Sequence, residues 1–361
     1  MLREWTSLGG GEMKKENAIA LVLPWMFVLT LTTAGEERIS VQIEPGMSVS
    51  RMKILPDRTS LGFSESSGIV YKIASDGKLL QDVRPLDHRI VDSQHTFYDF
   101  CAATDGSLYV LGMFKEASGE LRSAVFLFGN DGQFKRLINL AKKMDARGLT
   151  VDSRGNLIVL GLPSDFYFGQ AKNLFLLHKF DQQGRLLRSF GEFNPASYPG
   201  GNAQNLYHFI RGHLNRVPIG NCGKGIFCVW PGTNSVNFFH PDTLTLVHSV
   251  RIDEPGILNK AVPASVSDKY GEYQRTANRI KEVQVDTEEI RAEFVQSQIY
   301  QNPNAALSSR LLVVADFTGK TRNSREVDAS YGQLLALACP GYSRFCTLAR
   351  QDGQPLIICR D

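Results

Sequence analysis

Short apolar runs separated by polar turns recur along most of this chain. The segment Leu149–Gly161, LTVDSRGNLIVLG, places two apolar runs around a polar turn, and CAATDGSLYVLG repeats the arrangement from Cys101. Apolar runs of roughly four to eight residues with turn residues between them are typical of β-hairpins. Glycine suits such turns because it tolerates a positive φ angle. The pattern therefore predicts hairpins over this part of the chain.

A second type of hairpin alternates with the first. It occurs as YKIASDGKLL, FLFGNDGQFK, HKFDQQGRLL and NFFHPDTLTL, with turn residues Gly77, Gly132, Gly184 and Asp242. Successive turns are about 50 residues apart, and a repeat of that length with four short strands is the signature of propeller blades. The sequence thus predicts an all-β fold, a six-bladed β-propeller in which each blade is buried by its neighbours.

The expected blades have unequal support along the chain. We place them at about 48–85, 97–140, 145–191, 206–252, 282–340 and 341–361, the last closed by the N-terminal strand RISVQIE. Between blades four and five the rhythm breaks, and Asp286 followed by Glu289 forms a capping pair for a helix through Tyr300. This predicts a helical insertion near residues 264–300, which is either a solvated flap on a blade edge or a lid over one mouth of the channel.

The hairpin motifs resemble those of the NHL-like six-bladed β-propellers. The resemblance is carried by LTVDSRGNLIV, with Asp152, Gly155 and Asn156, followed by KFDQQGRLL, with Phe180, Asp181 and Gly184. It covers about Val49 to Val250. It implies a central channel surrounded by loops from successive blades.

The N-terminal region has the layout of a bacterial export signal. From Met13 the chain has two lysines, an apolar run from Ala18 to Leu31, and then small residues. This run is shorter than the roughly 20 residues that span a bilayer. We therefore predict a signal peptide over residues 1–35, with the true start at Met13 and cleavage after Ala34 or Gly35, and a periplasmic or extracellular product without a stable membrane span. An uncleaved N-terminal membrane anchor is the alternative.

Composition is that of a globular chain. The 361 residues are 43% hydrophobic and 21% charged, with a formal net charge of +3. Acidic and basic residues are interspersed, and no lysine or arginine block alternates with aromatic residues, so nucleic acid is not an expected partner. Because blade repeats fill most of the remaining length, we expect a single propeller domain over residues 36–361.

Six cysteines in an exported chain favour disulfides over metal ligands. Two pairs are close in sequence, Cys222 with Cys228 and Cys339 with Cys346. Neither spacing is the one that zinc sites use. We predict two local disulfides, with small buried thiols as the alternative, and leave Cys101 and Cys359 unassigned.

Signals for catalysis are weak. The seven histidines include one close pair, His208 and His213, whose spacing is not that of a helical zinc pair. The chain lacks a G-x-S-x-G elbow and a phosphate-binding glycine loop. Similarity to propeller enzymes implies a gluconolactonase-type set of metal ligands, but Glu44 in IEPG lacks the residues that follow in that pattern. We expect no metal and no cofactor, with a metal-dependent lactonase-type hydrolase or lyase as the alternative.

A non-catalytic binding module is the favoured function. Loops expected at one mouth are aromatic, as in HTFYDF, SDFYFGQ and PASYPGGNAQNLYHF. Aromatic rings with nearby amides can stack on and hydrogen-bond a sugar or a peptide. The partner would be a small ligand or an envelope protein, and a passive envelope scaffold is a further alternative.

An alignment of the repeats predicts the site. Counting back ten residues from Leu61, Leu108 and Leu157 reaches Arg51, Tyr98 and Arg147, and Arg216 falls within one residue of the same place in blade four. Guanidinium groups that converge on one mouth need a negative partner or solvent. We therefore predict a site for a small anionic or polyhydroxyl ligand, formed by Arg51, His95, Tyr98, Asp99, Arg147 and Arg216. The alternative is that each arginine pairs with a carboxylate of a neighbouring blade.

Overall fold

Antiparallel β-strands make up almost all of the described chain. The computed structural model describes residues 36–41, 48–55, 59–88, 95–115, 119–141, 143–163, 174–193, 217–230, 235–252, 278–285, 288–296, 309–327, 345–351 and 354–360. These residues contain 23 strands and one short 3-10 helix, Pro85–His88.

Twenty of the strands form five four-stranded sheets, which we call blades 1 to 5. Blade 1 contains β2 Arg51–Ile54, β3 Ser60–Phe63, β4 Val70–Ile73 and β5 Leu79–Val83. Blade 2 contains β6 His95–Ala102, β7 Leu108–Lys115, β8 Leu121–Phe128 and β9 Phe134–Asn139. Blade 3 contains β10 Met144–Val151, β11 Leu157–Pro163, β12 Leu174–Phe180 and β13 Leu186–Phe193. Blade 4 contains β14 Ile219–Cys222, β15 Gly225–Val229, β16 Ser235–Phe239 and β17 Leu246–Arg251. Blade 5 contains β18 Asn278–Val285, β19 Ile290–Gln296, β20 Ser309–Ala315 and β21 Thr321–Val327.

In blades 1 to 4 the last strand is less buried than the second and third strands. In blade 3 every residue of β10 and β11 is buried, whereas most of β13 is not. Apolar clusters join blade 1 to blade 2, blade 2 to blade 3, and blades 3, 4 and 5 to one another. First strands at the centre, last strands at the rim and face-to-face packing of successive sheets define a β-propeller.

The two ends of the described chain meet in a three-stranded sheet, which we call the terminal sheet. It contains β22 Phe345–Gln351, β23 Gln354–Arg360 and β1 Glu36–Ser40, in the order β1-β23-β22. Ile357 of β23 is buried in one cluster with Val41 and with Tyr71 of blade 1. The predicted pairing of the N-terminal strand with the last hairpin is confirmed for β1. The described residues form five four-stranded blades and not the expected six.

The predicted helical insertion near residues 264–300 is wrong where the structure describes it. β18 and β19 occupy much of this segment, and residues 264–277, 286–287 and 297–300 lie outside the described residues. The buried residues Ile290, Ala292 and Phe294 alternate with Arg291 and Glu293, which is the two-residue period of a strand. These two charged residues made the sequence look like that of a solvated helix. In the structure both are buried.

The predicted disulfide between Cys222 and Cys228 does not form in this structure. Both residues are free thiols. In the β14–β15 hairpin, Cys222 lies opposite Gly225, and Cys228 lies opposite Ile219. The strand register therefore separates the two cysteines along the hairpin. Cys339 lies outside the described residues, so the second pair stays a prediction.

The predicted signal peptide lies outside the described residues. The described residues contain no helix that is long and apolar enough to cross a bilayer.

Candidate ligand site in the central channel

The first strands of three blades contain a β-bulge at the same level. The strand pairing skips one residue in each of β6, β10 and β18, namely Tyr98, Arg147 and Lys281. Each lies four residues before the last paired residue of its strand. A bulge leaves one residue without a partner on the next strand and redirects its side chain. The bulges thus give Tyr98 and Arg147 equivalent positions in neighbouring blades.

Arg51 is offset from these two residues. It lies three residues before the last paired residue of β2, and it therefore matches Asp99 of β6 instead of Tyr98. The sequence alignment misplaced Arg51 by one residue, because it matched Leu61 with Leu108. In the strand pairing, Ser60 is the residue that corresponds to Leu108. The described pairs of β2 contain no bulge.

Asp99 is the centre of a polar cluster that connects three blades. The Arg51 guanidinium and the Lys53 ammonium, both from blade 1, lie 3.1 Å from Asp99 Oδ1. Arg51 Nη1 also donates a hydrogen bond to the Tyr98 carbonyl at 2.8 Å, and Lys53 donates to the Phe100 carbonyl. From blade 3, the Leu149 amide donates to Asp99 Oδ2 at 2.8 Å.

These contacts keep both central groups charged. Burial alone would raise the pKa of Asp99, but Lys53, Arg51 and the hydrogen bonds from the backbone lower it below its ordinary value. Burial would lower the pKa of Arg51, yet the nearby charges of Asp99, Glu282 and Glu65 raise it. Arg51 and Asp99 therefore form a charged pair, and Glu282 of blade 5 contributes to its field.

Arg147 and Tyr98 contact each other between blades 3 and 2. The Arg147 guanidinium carbon lies 4.1 Å from the centroid of the Tyr98 ring, within the range of a cation–π contact. Arg147 also forms a two-point ion pair with Asp145, with Nε 2.6 Å from Oδ1 and Nη2 2.8 Å from Oδ2. Arg147 and Asp145 are buried, and Tyr98 is half-buried. The result is a stack of the Arg147 guanidinium over the Tyr98 ring, beside the Arg51–Asp99 pair.

The structure thus brings together four of the six predicted residues. Arg51, Tyr98, Asp99 and Arg147 form one connected set of contacts. His95 is exposed at the start of β6, with its ring 5.6 Å from that of Phe97. Arg216 and the aromatic residues of SDFYFGQ and PASYPGGNAQNLYHF lie outside the described residues.

Three members of the set were missed from the sequence. Lys53 lies two residues after Arg51, and Asp145 lies two residues before Arg147, which is the spacing of one face of a strand. That spacing was an available signal for both residues. Glu282 belongs to the segment that was predicted as a helix, so its position in a channel strand was not foreseen.

The chemistry of the set is that of paired charges and hydrogen-bonding groups. Among the residues that the structure describes, no group of three His, Cys, Asp or Glu side chains is placed to hold a metal ion. The arrangement offers donors, acceptors and an aromatic ring on the central strands of a β-propeller.

Comparisons with known proteins agree with this fold. The chain matches no protein-family model and no curated protein sequence. A solved structure of a candidate exported protein from Bacteroides fragilis is similar, with 10% identity, a TM-score of 0.54, and coverage of 90% of this chain and 94% of that chain. A member of the DUF4221 family from Bacteroides vulgatus has 7% identity and a TM-score of 0.52, with 91% and 97% covered. At such identities the similarity extends to the fold, and this chain is an all-β propeller.

Proposed function

We propose that this chain is an exported six-bladed β-propeller that acts as a non-catalytic binding module, with its ligand site at one mouth of the central channel. The observation that carries the proposal is the stack of Tyr98 and Arg147 beside the Arg51–Asp99 pair. Two equivalent bulges position this stack, and bulges are common next to functional sites. Apolar clusters also join these blades, so the polar assembly is not their sole means of packing.

The sixth blade is the terminal sheet with β1 as its outer strand. In blades 3 and 5, the turn before the last strand closely approaches the preceding blade. A Cβ atom on Gly184 would lie 2.1 Å from a carbonyl oxygen of that blade, and one on Gly319 would lie 2.0 Å from such an oxygen. These oxygens belong to Asn139 and Arg251, the final residues of the preceding outer strands. Gly77 of blade 1 makes the same approach, at 2.1 Å, to the carbonyl of Ser40, the final residue of β1. β1 therefore has the place of an outer strand.

Export is supported by the N-terminal sequence. The charged residues, apolar run and small residues from Met13 to Gly35 have the order of a signal peptide. The structurally similar protein from Bacteroides fragilis also bears the name of a candidate exported protein.

A ligand screen with matched arginine variants tests the proposal. The mature protein is screened by thermal shift against soluble metabolites, peptides and oligosaccharides, and hits are measured by calorimetry. Arg147→Lys keeps a positive charge next to Asp145 but removes the planar guanidinium that stacks on Tyr98. We expect it to weaken binding at least about tenfold, equivalent to about 1.4 kcal/mol.

The control is the same substitution at Arg185. Arg185 Nε lies 2.6 Å from Asp181 Oδ2, the distance at which Arg147 contacts Asp145, but it lies in an exposed turn. Arg185→Lys should bind as the wild type does. A screen without any hit, or a hit that Arg147→Lys binds unchanged, contradicts the proposed site.

A further inference from the structure

The positive groups of the site are already balanced by the chain's own carboxylates. Arg51 and Lys53 contact Asp99, and Arg147 contacts Asp145. Glu282 and Glu65 add negative charges whose fields also reach Arg51. The carboxylates near the three cations are therefore at least as numerous as the cations themselves. The reason for expecting an anionic ligand, which was an excess of guanidinium groups, is absent from this set.

An anion would bind there at a cost. It would approach Asp99 and Asp145 as closely as it approaches Arg51 and Arg147, because each pair is in direct contact. Like charges at such distances repel, and the repulsion is stronger where water is excluded. Arg51, Asp99, Asp145 and Arg147 are all more than nine-tenths buried. Taking a bare anion out of water would thus bring little net attraction.

Hydroxyl groups are better partners than anions for these paired charges. A hydroxyl donates to a carboxylate oxygen and accepts from a guanidinium or ammonium group, so one ligand group can satisfy either member of a pair. The half-buried Tyr98 adds an aromatic ring and a phenol. Thr96 and His95, both exposed, precede it on the same strand and extend the polar surface.

We propose that the site takes an uncharged polyhydroxyl ligand, a neutral saccharide, in preference to an anionic one. This inference rests on the proposed function and adds the class of ligand to it. The juxtaposition of paired opposite charges with the Tyr98 ring carries the inference.

Salt dependence and ligand charge separate the two classes. Calorimetry is performed with maltohexaose, cellohexaose and xylohexaose as neutral probes and with tetragalacturonate as the acidic probe. The buffers contain about 50 mM and about 500 mM NaCl, which changes the screening length severalfold. We expect at least one neutral probe to bind with a dissociation constant that differs less than about twofold between the two buffers, and we expect tetragalacturonate to bind at least about tenfold more weakly.

Asp145→Asn provides a readout that a purely structural role would not change. The substitution leaves Arg147 without its two-point carboxylate partner, so the site gains net positive charge. Tetragalacturonate binding should then strengthen at least about tenfold in the low-salt buffer while neutral binding weakens. If this variant does not fold, Arg147→Lys replaces it, with loss of neutral binding as the expected result.

The results distinguish a wrong ligand class from a wrong proposed function. Preferential binding of tetragalacturonate by the wild type would overturn the ligand class and leave the proposed site in place. If none of the four probes binds, but the broader screen finds a charged ligand whose binding depends on Arg147, the ligand class is also overturned and the proposed site is kept. An empty broader screen would overturn the proposed function itself.

Discussion

At the scale of single residues, Asp99 links three blades. It lies on β6 of blade 2, accepts contacts from Arg51 and Lys53 of blade 1, and accepts a hydrogen bond from the Leu149 amide of blade 3. The central strands are otherwise held together by apolar packing. A carboxylate with partners on both sides therefore aligns the innermost strands and holds Arg51 next to Tyr98.

The pH dependence of stability should contain a contribution from Asp99. Its pKa is lowered in the folded state, so this contribution is present above the unfolded-state value of about 4 and is lost as the pH falls through the folded-state value. Asp99→Asn should reduce the free energy of unfolding by about 3 kcal/mol at pH 7, since it leaves two cations without their carboxylate. Urea titrations at neutral and acidic pH measure the effect.

The matched control is Asp131→Asn, which changes an exposed aspartate whose pKa is also lowered. Its ion pair with Lys135 lies on the surface, where such pairs contribute little to stability. The difference between Asp99→Asn and wild type should shrink below about pH 4. An equal loss of stability in both variants at neutral pH would show that Asp99 has no special role.

The sequence indicated which residues approach the channel but not how they pair. Hairpin spacing placed Tyr98 and Arg147 at the same level and Arg51 within one residue of it, because the repeat determines the approximate level of a residue on its strand. The ion pair of Arg51 with Asp99 joins separate blades and depends on how adjacent sheets pack. The bulges at Tyr98 and Arg147 also shift the register by one residue, a change that the pattern of hydrophobic positions does not reveal.

At the scale of elements, the hairpin before each outer strand follows one design. The pairing of the last two strands skips one residue in every blade, namely Leu80, Lys135, Leu187, Val247 and Arg322. Three of these, Leu80, Leu187 and Val247, are large apolar residues that are more than half exposed. The bulge accounts for their exposure. In blades 1, 2, 3 and 5, a hydrogen-bonded four-residue turn that ends in a glycine with positive φ precedes this bulge.

Gly77→Ala should destabilise the protein more than Gly119→Ala. Both glycines have a positive φ, 88° for Gly77 and 84° for Gly119, so both substitutions cost about 1 kcal/mol of backbone strain. A Cβ atom on Gly77 would also lie 2.1 Å from the Ser40 carbonyl oxygen, whereas one on Gly119 would have nothing within 4 Å. Chemical denaturation should show an additional loss of at least about 1 kcal/mol for Gly77→Ala. Equal losses would contradict the packing of β1 against blade 1.

The register of the terminal sheet favours a different cysteine pair from the one predicted. Cys346 lies opposite Cys359 on adjacent antiparallel strands. Opposed Cα atoms in such strands are about 4.5 to 5.5 Å apart, within the range of about 4.4 to 6.8 Å that a disulfide spans. If the chain is exported as proposed, we therefore expect a Cys346–Cys359 disulfide in preference to Cys339–Cys346.

Non-reducing peptide mapping after alkylation tests this pairing. Cys101 is an internal control, because burial raises the pKa of its thiol to about 12 and should keep it unmodified until the protein unfolds. A peptide that links Cys339 to Cys346, or alkylation of Cys346 in the native exported protein, would contradict the expected pairing.

Strands with a clear alternation of apolar and polar residues, or with a glycine turn, were predictable from the sequence. Strands in which buried charged residues interrupt the apolar pattern were not. Glycine turns and apolar runs gave the bounds of blades 1 to 3 to within a few residues. Blade 5 was obscured because Arg291 and Glu293 are charged yet buried in its second strand. Cys222 and Cys228 are close in sequence, but the tight β14–β15 hairpin separates them.

At the scale of the whole molecule, the proposed sixth blade would close the ring through the pairing of β1 with β23. Removal of residues 36–41 should lower the free energy of unfolding by about 3 to 5 kcal/mol, because it exposes the surface now covered by Val41 and Ile39. Loosening of the ring should also weaken binding at the channel. The comparison is made by urea denaturation and calorimetry on chains that begin at residue 36 or at residue 42.

A circular permutant distinguishes the loss of a strand from the loss of a chain end. Glu36 lies opposite Arg360, so a short glycine and serine linker can join residue 361 to residue 36, with new termini between Lys115 and Gly119. This permutant keeps β1 but attaches it through β23, and we expect it to unfold and bind ligand as the wild type does. The same permutant without residues 36–41 should lose the stability that the truncated chain loses. If both truncated forms unfold like their parents, β1 does not close the propeller, and the terminal sheet is not its sixth blade.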